Sequence, residues 1–129
     1  MPSGRKIVLE IGKERAIAVL LDDQAPKTCD AIWNALPYET ESISAVICQH
    51  ELIFMMPLII DMENPKFPTV GDIGYWCPRQ CVNIWYDKTE PLGLTNLFAK
   101  IVENLDGFAK EAKKVWKNPG TRVKLYRLE

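Results

Sequence analysis

Apolar and polar positions change period several times along this chain, and each change marks an element. Residues 7–11 and 16–21 are short, β-branched apolar runs separated by Gly12-Lys-Glu-Arg15, the pattern of a hairpin. After a turn at Asp22-Asp-Gln-Ala25, Pro26 suits the first position of a helix, where its missing N–H would have no partner anyway. Cys29, Ile32, Trp33 and Leu36 then recur at helical spacing until Pro37 stops the run. Ser42 to Cys48 alternates, with Ile43, Ala45 and Ile47 apolar, and predicts a half-buried strand. Gln49-His-Glu51 reads as a polar turn before a strand over Leu52–Met56.

Residues 61–69, with Asn64-Pro65 and Phe67-Pro68, read as an irregular loop. Gly71–Trp76 and Cys81–Tyr86 are aromatic strands flanking a Cys77-Pro-Arg-Gln80 turn, and a loop from Asp87 to Gly93 leads to a strand over Asn96–Val102. Leu105, Phe108, Ala109, Ala112, Val115 and Trp116 hold to one helical face. Asn118-Pro-Gly120 ends that helix, and Thr121–Leu128 makes the last strand. About eight strands and two short helices, with no linker or repeat, predict a mainly all-β fold. A closed or nearly closed barrel suits it, because closure leaves few strand edges bare.

Length and composition narrow this further. The 129 residues suit one domain, 1–129. A hydrophobic share of 47% excludes intrinsic disorder, and a charged share of 26% excludes a membrane bundle. Sixteen basic against seventeen acidic residues give a net charge of −1, so neither nucleic acid nor anionic membrane is an expected partner. The amino-terminal stretch shows no apolar run of secretory length, and the longest apolar run, Leu52–Ile60, is broken by Pro57 and too short to cross a bilayer. A cytoplasmic location follows as the expectation, with Cys29, Cys48, Cys77 and Cys81 as reduced thiols. No phosphate-binding glycine loop, paired-carboxylate signature or serine-nucleophile motif is present, and no cofactor is expected.

Ala25-Pro-Lys-Thr-Cys-Asp-Ala-Ile-Trp-Asn-Ala-Leu36, placed after a strand pair, resembles the opening of cyclophilins, where a Pro-Lys-Thr segment starts the first helix beside the barrel. Lys88-Thr-Glu-Pro-Leu92, followed by Asn96–Leu105, looks like the cyclophilin stretch that leads into the second helix. Gly71-Asp-Ile-Gly-Tyr-Trp-Cys-Pro-Arg79, then Trp85-Tyr-Asp-Lys-Thr-Glu-Pro91, is more similar still to a small prokaryotic branch of cyclophilin-like proteins of unknown function, which carries Gly-Asp-x-Gly-Tyr-Trp-Pro-Pro-Gly. The resemblance covers nearly the whole chain and implies a cyclophilin-like barrel. It also implies where isomerase chemistry would sit: an arginine donating to the prolyl amide, beside an apolar pocket, weakens the resonance that sets the isomerisation barrier. Ser42–Cys48, the strand that would carry that arginine, has none. Pro91 stands in place of the family's tryptophan, and Thr95 or Asn96 in place of its histidine. The resemblance therefore implies the fold without the isomerase residues.

Candidate site residues cluster around the aromatic strands. Phe54 and Met56 share one strand face and Met55 takes the other, while Trp76 and Trp85 lie opposite each other across the Cys77–Gln80 turn. These side chains are either core or, on a face outside the barrel, an apolar groove for a small molecule or short peptide. Arg79 at the turn tip is the cation placed to meet an anionic ligand, and His50, the sole histidine, completes the candidate set. Cys48, His50, Cys77 and Cys81 would supply zinc ligands only if two turns met, and their spacing is not that of a zinc knuckle, so no metal is expected. Cys48 with His50 has the chemistry of a thiol–imidazole pair, provided the strand continues that far. Lys110, Lys113, Lys114 and Lys117 read as a solvated helix face. The leading expectation is a binding protein without prolyl isomerase activity. The alternatives are a weak isomerase using Arg79 or Gln49 as donor, and an interaction module or homo-oligomer subunit pairing through an exposed apolar face.

Overall fold

The structure is a computed structural model, and it describes residues 4–45, 49–90 and 92–129. The elements run β1 (Lys6–Ile11), β2 (Glu14–Leu20), α1 (Pro26–Asn34), β3 (Tyr38–Ser44), β4 (Gln49–Met55), β5 (Pro65–Lys66), β6 (Asp72–Trp76), β7 (Cys81–Thr89), β8 (Thr95–Glu103), α2 (Leu105–Ala112) and β9 (Thr121–Arg127). Neighbouring strands follow the order β2-β1-β9-β3-β4-β7-β6-β8, and β8 pairs back onto β2. Eight antiparallel strands thus close into a barrel, and the two-residue β5 adds outside it on β8.

The strand alternation read from sequence decides what fills the barrel. Ile7, Leu9 and Ile11 of β1, Ala16, Ala18 and Leu20 of β2, Leu52 and Phe54 of β4, Ile73 and Tyr75 of β6, and Val82, Ile84 and Tyr86 of β7 all join one core. Cys29 and Ile32 of α1 and Phe108, Ala109 and Ala112 of α2 lay the apolar faces of both helices on that same interior.

Three local readings are corrected. The strand predicted over Ser42–Cys48 begins earlier, at Tyr38, and ends at Ser44, while 46–48 lie outside the described residues. Its facing is also reversed: Ser42 is buried and Ile43 is 53% exposed. The Ser42 hydroxyl donates to the Thr121 carbonyl at 2.8 Å, and a hydroxyl with a backbone partner loses little on burial. Gln49-His-Glu51 is the start of β4 rather than a turn, because it pairs with β7 through an irregularity between Gln49 and Glu51. Gln49 takes a positive φ of 69° at that irregularity. Finally, Trp116 is 59% exposed although helical spacing placed it inward. After Ala112 the helix tightens into a 3₁₀ turn over Lys113–Lys117, and three residues per turn rotate Trp116 off the core face while Val115 stays buried.

Candidate functional site

β7 is buried along both faces from Cys81 to Tyr86. Val82, Ile84 and Tyr86 point into the barrel, so Cys81, Asn83 and Trp85 point out, and something outside must cover them. Beside Asn83 and Trp85 that cover is the segment 92–95, which follows β7 and ends on Thr95, the first residue of β8. Under it lies a cleft of about 200 Å³ on the outer wall of the barrel. Glu51 of β4, Asn83 and Trp85 of β7, Trp76 at the end of β6, and Leu92, Gly93, Leu94 and Thr95 of the covering segment line it.

Strand register assembles this floor. Glu51 lies opposite Trp85, and Asn83 lies between Ile53 of β4 and Gly74 of β6. Gly74 is what lets the Trp85 indole lie against the sheet. A Cβ there would stand 2.7 Å from Thr95 Cγ2, 3.2 Å from Trp85 Cζ3 and 3.3 Å from the Asn96 carbonyl oxygen. The indole is almost wholly buried, and its Nε1–H has no hydrogen-bond partner among the described residues. The Glu51 carboxylate is 5% exposed and accepts a hydrogen bond from Asn83 Nδ2. Asn83 Oδ1 in turn lies 3.9 Å from the Cys81 sulfur. Burial, reinforced by the Glu51 charge, pushes the Cys81 thiol up to about 11, so it sits beside the cleft as a neutral, unreactive group. Trp76, Leu92 and Leu94 are 43%, 76% and 51% exposed and form an apolar rim. The result is a pocket with apolar walls and one carboxylate on its floor, an arrangement suited to holding a small molecule.

Trp76 and Trp85 do not lie opposite each other, because Trp76 pairs with Cys81 across the turn, but both line the cleft, and the other four candidates lie outside its lining. Phe54 and Met56 are each 1% exposed and belong to the core. Phe54 on β4 and Met56 just past its end turn to the same side, as the alternation required, but that side is the inner one. Arg79 lies exposed in the 3₁₀ turn Cys77–Arg79. His50 Nδ1 donates to the Lys88 carbonyl at 2.7 Å, with its ring edge-on to Tyr86 at 5.7 Å, so it ties β4 to the end of β7. Cys48 lies outside the described residues, and among the described residues no group of three His, Cys, Asp or Glu side chains meets as a metal site needs. Burial also pushes Cys29 up to about 12. Thr95, at one of the two positions matched to the cyclophilin histidine, lines the cleft. Asn96 binds instead to Thr28 and to the loop that follows β4.

A family model described as cyclophilin-like matches residues 5–116. The chain belongs to the cyclophilin-like family. Its barrel is similar to that of McbB, solved in complex with tryptophan, with a TM-score of 0.83 at 15% identity over 94% of this chain. The match spans only 44% of McbB, so this chain corresponds to less than half of that protein. It is also similar to the hypothetical protein AF2241 from Archaeoglobus fulgidus, with a TM-score of 0.72 at 21% identity over 99% of this chain and 98% of that one. At these identities the likeness is one of fold. No curated protein matches the sequence. Among the described residues no helix is long and apolar enough to cross a membrane.

Sequence reasoning missed Glu51, Asn83, Leu92, Leu94 and Thr95. Asn83 carried a signal: asparagine is disfavoured in strands, and one set in the middle of Cys81-Val-Asn-Ile-Trp85 asks for a buried partner. Glu51, taken as part of a turn, is that partner.

Proposed function

We propose that this cyclophilin-like protein binds a small molecule in the cleft under segment 92–95, without acting as a prolyl isomerase. The observation that carries this is the lining of the cleft, where two indoles, Trp76 and Trp85, and two leucines, Leu92 and Leu94, surround a cavity of about 200 Å³ with the buried Glu51 at its floor. A concave, mostly apolar cavity with a few polar groups is the usual form of a small-molecule site. Against isomerisation stands the lining itself, which holds no arginine among its described residues, while Arg79 and Gln49 lie outside it. That McbB, a protein of the same fold, holds tryptophan supports a ring-sized occupant.

Titration of intrinsic tryptophan fluorescence with a metabolite set and a set of proline peptides tests this reading. Trp76 and Trp85 both face the cleft, so at least one small molecule should shift or quench the emission saturably, and Trp76→Phe should reduce the change. Flat titrations throughout the set would remove the basis for a binding role.

A further inference from the structure

We propose that the outer wall of the barrel over β3, β4, β7 and β6 docks a second copy of this chain. Register sets two rows side by side on that wall: Ile43, Ile53, Asn83 and Gly74 in one, Met55, Cys81 and Trp76 in the other. Residues paired across strands share a face, so both rows face outward with Cys81 and Asn83. Ile43, Met55 and Trp76 are 53%, 50% and 43% exposed, and Ile53 is half-buried. Leu92 and Leu94 continue the apolar surface past Trp76, across the cleft. These six side chains leave on the order of 500 Å² of apolar surface open, near the upper end of what a monomer shows and enough for the centre of an interface.

Opposite charges stand at the two ends of this strip. Glu41, two residues before Ile43 on the same face of β3, is exposed. Arg79 is exposed in the turn after Trp76, near enough to Cys81 for its charge to act on that thiol. Among the described residues neither makes an ion pair, and Arg122, which faces Glu41 in register, holds Glu39 instead. Nothing charged lies between them along the two rows. A two-fold axis parallel to the strands, between β4 and β7, exchanges β3 with β6. It turns Glu41 of each copy toward Arg79 of the other, and Ile43 toward the rim formed by Trp76 and Leu94. Convex barrels touch first at β4 and β7, and these side chains reach across the gap that curvature leaves at the edges. The strip is thus complementary to itself in charge as well as apolar, which selects a second copy over an unrelated apolar segment.

Sedimentation equilibrium of the full chain, with no ligand added, from micromolar to millimolar concentration tests this. A reversible monomer–dimer equilibrium is expected. Ile43→Glu, at an exposed position outside the cleft lining, should raise the dimer dissociation constant by about tenfold or more. Glu41→Arg and Arg79→Glu should each weaken the dimer, and the two changes together should restore it, because the exchanged charges attract again. A monomer at every concentration would overturn the second copy as occupant and leave the strip to a peptide or a different protein. A dimer as tight in Ile43→Glu as in the unaltered protein would overturn this wall as its site. A double variant no tighter than the single ones would overturn the pairing of Glu41 with Arg79. Urea unfolding of each variant separates lost pairing from lost fold, and the equilibrium of the unaltered protein stands whatever the variants do. Fluorescence reads the cleft and sedimentation reads the pairing, so either can fail without the other.

Discussion

At the scale of single residues, the cleft depends on an absence. Gly74 carries no side chain, and Trp85 and Thr95 occupy the space a methyl group would need. Thr95 is β-branched and buried, so it yields little, and the Asn96 carbonyl behind it is backbone. Gly74→Ala is expected to destabilise the fold by about 1–3 kcal/mol, the usual cost of forcing atoms into a packed site, and to lift the Trp85 indole from the sheet. Urea unfolding followed by tryptophan emission checks both effects, and an unchanged midpoint with unchanged native emission would show that the neighbours give way freely. The same scale explains where sequence pattern stopped being informative. Trp76 and Trp85 announce themselves as aromatic residues beside a turn, but a polar residue facing a cleft looks like any surface residue until its strand register is known. Glu51 shows this best. One residue of irregular pairing between Gln49 and Glu51 is enough to decide which wall of the barrel a side chain faces.

At the scale of elements, much of the pattern was legible. The hairpin of β1 and β2, the proline-started α1, the aromatic strands β6 and β7 and the start of α2 follow from alternation, helical spacing and turn residues. Three features were not: the reversed facing of β3, the start of β4 at Gln49 and the change of helical pitch after Ala112. The buried Ser42 depends on a partner far along the chain, the Thr121 carbonyl, which no local pattern reveals. The long segment between β4 and β6 has little regular structure and is held instead by side chains. Asn96 Oδ1 accepts from the backbone N–H groups of Glu63 and Asn64 at 3.1 and 2.9 Å, and its Nδ2 donates to Thr28 Oγ at 3.0 Å. Tyr75 accepts from the Leu58 N–H at 3.1 Å, and its hydroxyl lies 2.8 Å from the Met56 carbonyl. Asn96→Ala removes three of these bonds and leaves two backbone donors unpaired, an expected loss of about 2–4 kcal/mol. Hydrogen exchange would then show faster exchange at the Glu63 and Asn64 amides. Unchanged protection there would mean the segment is held by something other than Asn96.

At the scale of the whole molecule, closure of the barrel divides the chain's apolar residues into two populations. The inward set packs one core, and the outward set on β6 and β7 needs a separate cover, which segment 92–95 supplies. Strand count and turn spacing were enough to anticipate a barrel, whereas the choice between core and groove for each aromatic residue needed the closed topology. Phe54 and Met56 went inward; Trp76 and Trp85 went outward. Family membership accounts for the barrel, and the cleft carries the proposed function, since one fold serves many activities. The most direct test is to follow the indole N–H resonances of the four tryptophans in the ¹⁵N-labelled protein while a ligand found by fluorescence is added. If the cleft is the binding site, the Trp76 and Trp85 resonances move as the ligand fills the space their rings line, while Trp33 and Trp116 stay in place. A saturable ligand that moves Trp33 or Trp116 and leaves Trp85 unchanged would contradict the account.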